Sequence, residues 1–396
     1  MTIKKGLRFK TACYTIEGMS SFATVLFLNY LYFFMRAQHG FSDKDNLAFA
    51  ALLGLAYTFA SWQAGRFARR YGYFTALKLG SSIMLVSLAV GSQLNSAPGL
   101  ILTAIIVTLG MCLIWPTIEA LVSEGETPEG VPRAVGIYNI TWAVTNATAY
   151  FIGGTFIQTF GFRSIFYLPI GIVLIQLALI FWLQNHAAEL ARLAVNKPPA
   201  VPPPPDPHRP SPAKAKAFLR MAWLANPFAY IAVNTLIAVI PGLAARLHLS
   251  PMLAGFICSL WCFARLGTFL MLWSWTGWHY RFRWLVTAFG LLVVSFAAIL
   301  TVPSLAVLLV AQIFFGTAIG LIYYSSLFYS MDASEIKSEH GGIHEAAIGA
   351  GNFIGPAVGA ASLQFLPQYA NSGAVAVSAL LLCGFGALLV IWKTAR

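Results

Sequence analysis

The chain has 396 residues, of which 58% are hydrophobic and only 10% are charged, and its formal net charge is +12. Soluble domains carry about 25% charged residues, so this composition excludes a protein whose whole surface faces water. The basic residues fall in short stretches between long apolar segments instead of forming one continuous basic surface. We therefore expect no nucleic-acid partner, despite the positive charge.

Apolar segments of about 20 residues recur along the chain, and each can cross the hydrocarbon layer as a helix. Their apolar residues are continuous and do not alternate, which excludes a β-barrel. Spanning backbone must then be helical, because lipid offers no hydrogen-bond partners. We predict an all-α membrane protein with twelve transmembrane helices, at residues 11–36, 46–66, 74–94, 98–122, 134–158, 163–184, 219–243, 251–273, 284–303, 305–330, 342–366 and 373–394.

A proline-rich segment separates the sixth and seventh predicted spans. Residues 197–206 read Lys-Pro-Pro-Ala-Val-Pro-Pro-Pro-Pro-Asp, and basic residues follow them. Such a segment is extended and semi-rigid and cannot build a core. We predict an N-terminal six-helix bundle over residues 1–186, a basic linker over 187–218 and a C-terminal six-helix bundle over 219–396.

The Lys and Arg residues are distributed unequally between the two sides of these spans. With the N-terminus inside, 20 of the 25 fall in inner loops and tails. Basic residues are retained on the cytoplasmic side of membranes. We expect a multi-pass protein of the bacterial inner membrane, surrounded by lipid, with both termini in the cytoplasm.

The two halves contain a weak internal repeat. One offset of 206 residues relates Gly110 to Gly316 and Asn146 to Asn352. The shared asparagine carries the most weight, because a polar residue is costly in lipid. Transporters use parallel repeats of this kind to build a central site where the repeats meet.

Two bundles of six helices, cytoplasmic termini, a long linker and a repeat resemble the major facilitator superfamily over essentially the whole chain. Between spans two and three, Gly65, Arg70 and Gly72 match the family's Gly-x-x-x-Asp-Arg-x-Gly motif, whereas Arg69 occupies the position of the acid. The resemblance implies a secondary active transporter whose cavity opens alternately to the two sides. We expect it to act as a monomer, without a cofactor.

Four ionisable residues lie within predicted spans, where a charge costs at least about 2.5–3.5 kcal/mol. Glu17 is a candidate proton acceptor, or a gate residue satisfied by a neighbouring helix or by Arg265. For Glu119 and Glu345, near the predicted inner ends of their spans, we favour gate or loop-end roles. Arg265 is a candidate ligand for an anionic substrate or a counter-ion of Glu17.

Polar side chains also recur on single helix faces. Asn139, Trp142 and Asn146 follow one another at spacings of three and four residues in span five, which places them on one face. Such a stripe either lines a cavity or forms hydrogen bonds between helices. Further cavity candidates lie in spans seven and ten: Tyr230, Asn234, Gln312 and Tyr323.

The sequence does not reveal the substrate. We find no metal-ligating cluster, nucleophile motif or phosphate-binding loop, so we predict that the chain is not an enzyme and binds no metal. We expect transport of a small solute, coupled to protons, and we slightly favour uptake of a polar nutrient such as a sugar or an organic acid. Efflux of amphipathic compounds and a non-transporting receptor or scaffold are the alternatives.

Overall fold

The computed structural model describes residues 2–124, 126, 130–194, 211–302, 304–333 and 337–394, and all regular secondary structure in these ranges is helical. Two helices joined at Ser259 together form the eighth span. In chain order the helices are Thr2–His39, Asp43–Tyr71, Tyr73–Gly91, Ala97–Ser123, Gly130–Phe160, Ser164–Ala194, Pro212–Arg246, Pro251–Cys258, Leu260–Ser274, Phe282–Thr301, Leu305–Ala333, Lys337–Phe365 and Ser372–Thr394.

Every predicted span coincides with helical structure, which confirms the predicted twelve-span arrangement. Eleven of the spans, with the eighth counted as Pro251–Ser274, are long and apolar enough to cross a membrane. The fifth, Gly130–Phe160, is also long enough but is less apolar, because threonine and asparagine side chains interrupt it. Several helices extend well beyond the predicted spans, for example Thr2–His39 and Pro212–Arg246.

Helix also covers parts of the predicted linker. The sixth helix ends at Ala194 and the seventh begins at Pro212. Ser211 caps the seventh helix by accepting a hydrogen bond from the backbone of Lys214. The proline-rich residues 197–206 lie outside the described residues, so the division of the chain into two bundles and a linker stays a prediction at these boundaries.

The helices pack as two groups of six. Spans one, three, four and six contact mainly members of the first group, and spans seven, nine, ten and twelve contact mainly members of the second. The most extensive contact between the groups joins spans two and eleven, and a second joins spans five and eight. Spans three, six, nine and twelve make their main contacts within their own group. The interface between the groups is therefore formed mainly by spans two, five, eight and eleven.

Glycines allow the two groups to approach closely. A Cβ atom at Gly54 in span two would overlap the backbone of Asn352 in span eleven. From the other side, a Cβ atom at Gly349 would lie 2.7 Å from the Cα atom of Thr58. In spans five and eight, a Cβ atom at Gly154 would overlap the carbonyl of Pro251. These positions accept no side chain while the helices are in contact.

Candidate functional site

A cavity of about 170 Å³ lies between the two groups of helices. Its lining comes from spans one, two, four and five of the first half and from spans seven, eight, ten and eleven of the second. The described residues of spans three, six, nine and twelve contribute nothing to its lining. Both halves therefore build one shared site, which is where a parallel repeat places it.

The structure brings most of the candidate residues together at this cavity but leaves four of them away from its wall. Glu17, Glu119, Asn139 and Gln312 do not line it. The candidates that do line it are Trp142, Asn146, Tyr230, Asn234, Arg265, Tyr323 and Glu345.

Two of the cavity candidates are buried between helices instead. The Gln312 amide nitrogen donates to the carbonyl of Ile257 at 3.0 Å and so joins spans ten and eight. Asn139 is only 1% exposed, and its amide oxygen has no partner among the described residues. The polar stripe of span five therefore serves two purposes: its first asparagine is buried, while Trp142 and Asn146 face the cavity.

Sequence reasoning missed several residues of the cavity wall. Asn352 shares the offset of 206 residues with Asn146, and both line the cavity, so the repeat could have identified it. The other missed residues are single polar or aromatic side chains within apolar segments, which no periodic pattern marks: Asn29, Tyr32, Tyr57, Trp115, Tyr138 and Trp261.

Amide groups occupy one part of the wall. The Asn234 amide nitrogen donates to the Asn352 side-chain oxygen, which links spans seven and eleven. Asn146 also lines the cavity, and its amide nitrogen donates to the backbone carbonyl of Trp142 at 3.0 Å. These groups can hydrogen-bond a polar solute.

Three carboxylates form a cluster beside the cavity. Glu17, Glu119 and Glu345, from spans one, four and eleven, lie close enough to interact electrostatically. Glu17 is fully buried and accepts a hydrogen bond from Ser21 at 2.7 Å. Its second oxygen has no hydrogen-bond partner among the described residues. Like charges repel one another in a low dielectric.

Glu345 connects this cluster to the contact between the two halves. It lines the cavity and accepts a hydrogen bond from the hydroxyl of Tyr57 in span two. Such a bond to an ionised carboxylate is stronger than one to its protonated form. The protonation state of Glu345 is therefore linked to the strength of the contact between spans two and eleven.

Arg265 is separated from these acids. Its guanidinium lies over the ring of Trp142, 4.2 Å from the ring centroid, and the residue is 4% exposed. Neither an ion pair nor a hydrogen bond joins this guanidinium to another described residue, and its Nε atom has no partner. The sequence-based alternative of Arg265 as the counter-ion of Glu17 is thus not realised in this conformation.

Polar contacts close the end of the interface that topology predicts to be outer. Asp43, at the start of span two, accepts hydrogen bonds from Arg36 at 3.0 Å and from Arg246 of the second half at 2.9 Å. Lys44 donates to the side chain of Gln364 at 2.9 Å, which joins spans two and eleven. The structure therefore represents a conformation in which the predicted outer end is closed.

Replacing Asp43 with asparagine should weaken this closure. Both arginines lose their ion pair, but these side chains are partly solvated, so we expect a loss of about 1 kcal/mol or less per pair. Thermal unfolding in detergent should show a small decrease in Tm that shrinks as salt is raised. Asp45→Asn, which affects the helix cap formed with Ser42 but no contact between the halves, is the control. An equal, salt-insensitive decrease in both variants would argue against a role of Asp43 in closure.

The loop motif between spans two and three is water-exposed at its arginines. Arg69 and Arg70 are exposed, and Arg70 lies over the ring of Tyr71 at 5.3 Å. Gly72 has φ +91° and joins the two helices, a conformation that favours glycine. A Cβ atom at Gly65 would meet nothing within 4 Å. The positive φ angle thus explains why the motif has a glycine at position 72.

Two solved structures match the chain over nearly its whole length. One is the human organic anion transporter MFSD10 (TETRAN), with a TM-score of 0.66, 14% identity and coverage of 96% of this chain and 99% of that one. The other is described by the phrase "substrate recognition in proton dependent oligopeptide transporters", with a TM-score of 0.67, 18% identity and coverage of 98% and 99%. At these identities the likeness shows the shared fold.

Sequence comparison identifies the family directly. No curated protein sequence matches the chain significantly. The sequence pattern of the Major Facilitator Superfamily, however, matches residues 11–356, which is most of the chain. Together with twelve helical spans and a cavity shared by the two halves, this match shows that the chain is a membrane transporter of the Major Facilitator Superfamily.

Proposed function

We propose that the protein is a secondary active transporter of the inner membrane that moves a small solute by alternating access, with protons as the coupling ion. One observation carries this proposal: a cavity whose wall includes amide, hydroxyl and charged side chains lies between the two halves and adjoins a cluster of buried carboxylates. The solute site and the proton site thus lie at the same helix interface. Binding of the solute can therefore change the affinity for the proton, and the reverse.

The carboxylate cluster supports proton coupling. Glu17 is enclosed by protein, and Glu345 reaches across to Tyr57 of the first half. Loss of a proton from Glu345 strengthens the Tyr57 contact, and gain of a proton weakens it. Protonation thereby shifts the balance between associated and separated positions of spans two and eleven. One structural neighbour is described as proton dependent, which is compatible with this proposal.

We favour uptake of a polar solute by a proton symporter, with both termini in the cytoplasm. The amides of Asn146, Asn234 and Asn352 provide hydrogen bonds within the cavity. The basic residues concentrated in the predicted inner loops support the topology. Efflux of an amphipathic compound is the second candidate, because Trp115, Trp142 and other aromatic rings also line the cavity.

The proposal is tested in proteoliposomes with a panel of sugars, organic acids, amino acids and nucleosides. A pH gradient of one unit stores about 1.4 kcal/mol per proton, so one-to-one proton symport at zero membrane potential accumulates a solute up to about tenfold. We expect one class to accumulate and a protonophore to abolish the effect. If no member accumulates under either direction of the gradient, proton-coupled transport of these solutes is contradicted.

Replacing Glu17 with glutamine should remove this accumulation. A neutral amide resembles the protonated acid but cannot release a proton, so we expect the tenfold accumulation to fall to equilibration while solute exchange continues. Glu124→Gln, at an exposed position after span four, should accumulate like the unchanged protein. Full accumulation by the Glu17 variant would show that Glu17 does not carry the proton.

A further inference from the structure

Arg265 is the one basic side chain in the wall of the cavity, as far as the described residues show. It is nearly fully buried, and no acid of the described chain pairs with it. A buried charge without a partner is strongly destabilising unless something else stabilises it. The rings of Trp142 and Trp261 supply part of that stabilisation through cation–π contacts, but they offer no oxygen acceptor to the guanidinium N–H groups.

The acids do not supply the missing partner. Glu17, Glu119 and Glu345 interact with one another. Arg265 instead lies close enough to Tyr230 and Tyr323 to interact with them electrostatically. Glu345 also interacts electrostatically with both tyrosines. The two tyrosines thus lie between Arg265 and the acids, and no ion pair joins Arg265 to Glu17, Glu119 or Glu345. The acids remain available for protons, and the guanidinium remains available for another anion.

Flat aromatic surfaces lie beside the guanidinium. The rings of Trp142 and Tyr323 are 5.4 Å apart between centroids, and their planes differ by 22°. Phe269 continues the group, with its ring inclined by 22° to Trp142 and by 26° to Tyr323. Trp142 and Tyr323 both face the cavity. Nearly parallel rings favour a ligand that is itself flat, because offset stacking then becomes possible.

We propose that the substrate is a small organic monoanion, a carboxylate attached to a flat unsaturated or aromatic body, with its carboxylate on Arg265 and its body against Trp142 and Tyr323. This inference names the substrate class of the proposed transporter and so rests on that function. An arginine fork matches the two oxygens of a carboxylate. A single cation balances one negative charge, and the nearby acids disfavour a second. The ligand would bridge spans five, eight and ten, and hence both halves.

The proposal is tested by calorimetric binding of benzoate to the purified protein in detergent, which requires no transport. Benzamide has the same ring without the charge. We expect it to bind roughly 100-fold more weakly than benzoate, because the charge-assisted hydrogen bonds to Arg265 are lost. Cyclohexanecarboxylate has the charge without the flat ring, and we expect a loss of about three- to tenfold. Phenyl phosphate, whose second charge has no partner, should bind more weakly than benzoate.

Variants of the protein give the reciprocal test. Arg265→Gln should weaken benzoate binding roughly 100-fold and leave benzamide binding unchanged, and Arg265→Lys should recover part of the loss. Trp142→Leu should reduce the preference for benzoate over cyclohexanecarboxylate. The controls are Arg283→Gln, an exposed arginine beside Trp284, and Trp182→Leu, an exposed tryptophan outside the cavity. Both controls should bind benzoate normally.

The outcomes separate this inference from the proposed function. Equal binding of benzoate and benzamide, tighter binding of phenyl phosphate, or undiminished binding of benzoate by Arg265→Gln overturns the carboxylate assignment, whatever the protein transports. Arg265-dependent benzoate binding supports it. If proteoliposomes then show no more exchange or accumulation of benzoate than protein-free liposomes, the anion site stands and the transport function is contradicted.

Discussion

Replacing Gly54 with alanine should destabilise the conformation described by about 1–3 kcal/mol, the usual effect of overpacking a close contact. The added Cβ atom would overlap the backbone of Asn352 and Phe353. Backbone atoms cannot move aside as a flexible side chain can. Spans two and eleven must therefore separate, which also affects the nearby contact between Tyr57 and Glu345. Thermal unfolding in detergent measures the loss.

Gly65 provides a matched control on the same helix. A Cβ atom there would meet nothing within 4 Å, and the residue lies away from the contact with span eleven. Because alanine is a better helix former than glycine by about 1 kcal/mol, Gly65→Ala should leave Tm unchanged or raise it. A Gly54→Ala protein as stable as Gly65→Ala would mean that spans two and eleven do not pack as closely as described.

Hydropathy predicted the helical spans, because lipid forces each long apolar segment into a helix, whereas the two-bundle arrangement rested also on the proline-rich segment, the repeat and the family resemblance. The prediction of span five from its apolar residues was accurate even though this span is less apolar than the other eleven. The break of span eight at Ser259 was not predicted. Ser259 donates to the carbonyl of Phe256, a local bond that competes with the helix and that composition does not reveal.

The site was only partly predictable, for a geometric reason. Periodicity identifies residues that share a face but not what that face contacts. Asn146 and Gln312 look alike in sequence, yet the first lines the cavity and the second bonds a neighbouring helix. Likewise, Arg265 and Glu17 are both charges within spans, and only their positions in space show that Trp142 is the partner of the arginine.

The central claim is that the cavity is reached alternately from both sides of the membrane, and a cysteine at Asn146 tests it without knowledge of the substrate. Asn146 lines the cavity from the middle of span five. The variant Asn146→Cys is made in a background in which the native cysteines are replaced, because Cys262 also lines the cavity. Ala147→Cys, at a fully buried neighbouring position away from the cavity, is the control.

A membrane-impermeant maleimide is added to sealed right-side-out and inside-out vesicles. We predict that Asn146→Cys reacts from both faces and that Ala147→Cys reacts from neither. Cross-linking cysteines placed at Lys44 and Gln364, which join spans two and eleven at the closed end, should abolish labelling from the outer face alone. Labelling of the unlocked protein from one face only would contradict alternating access and favour a static binding protein.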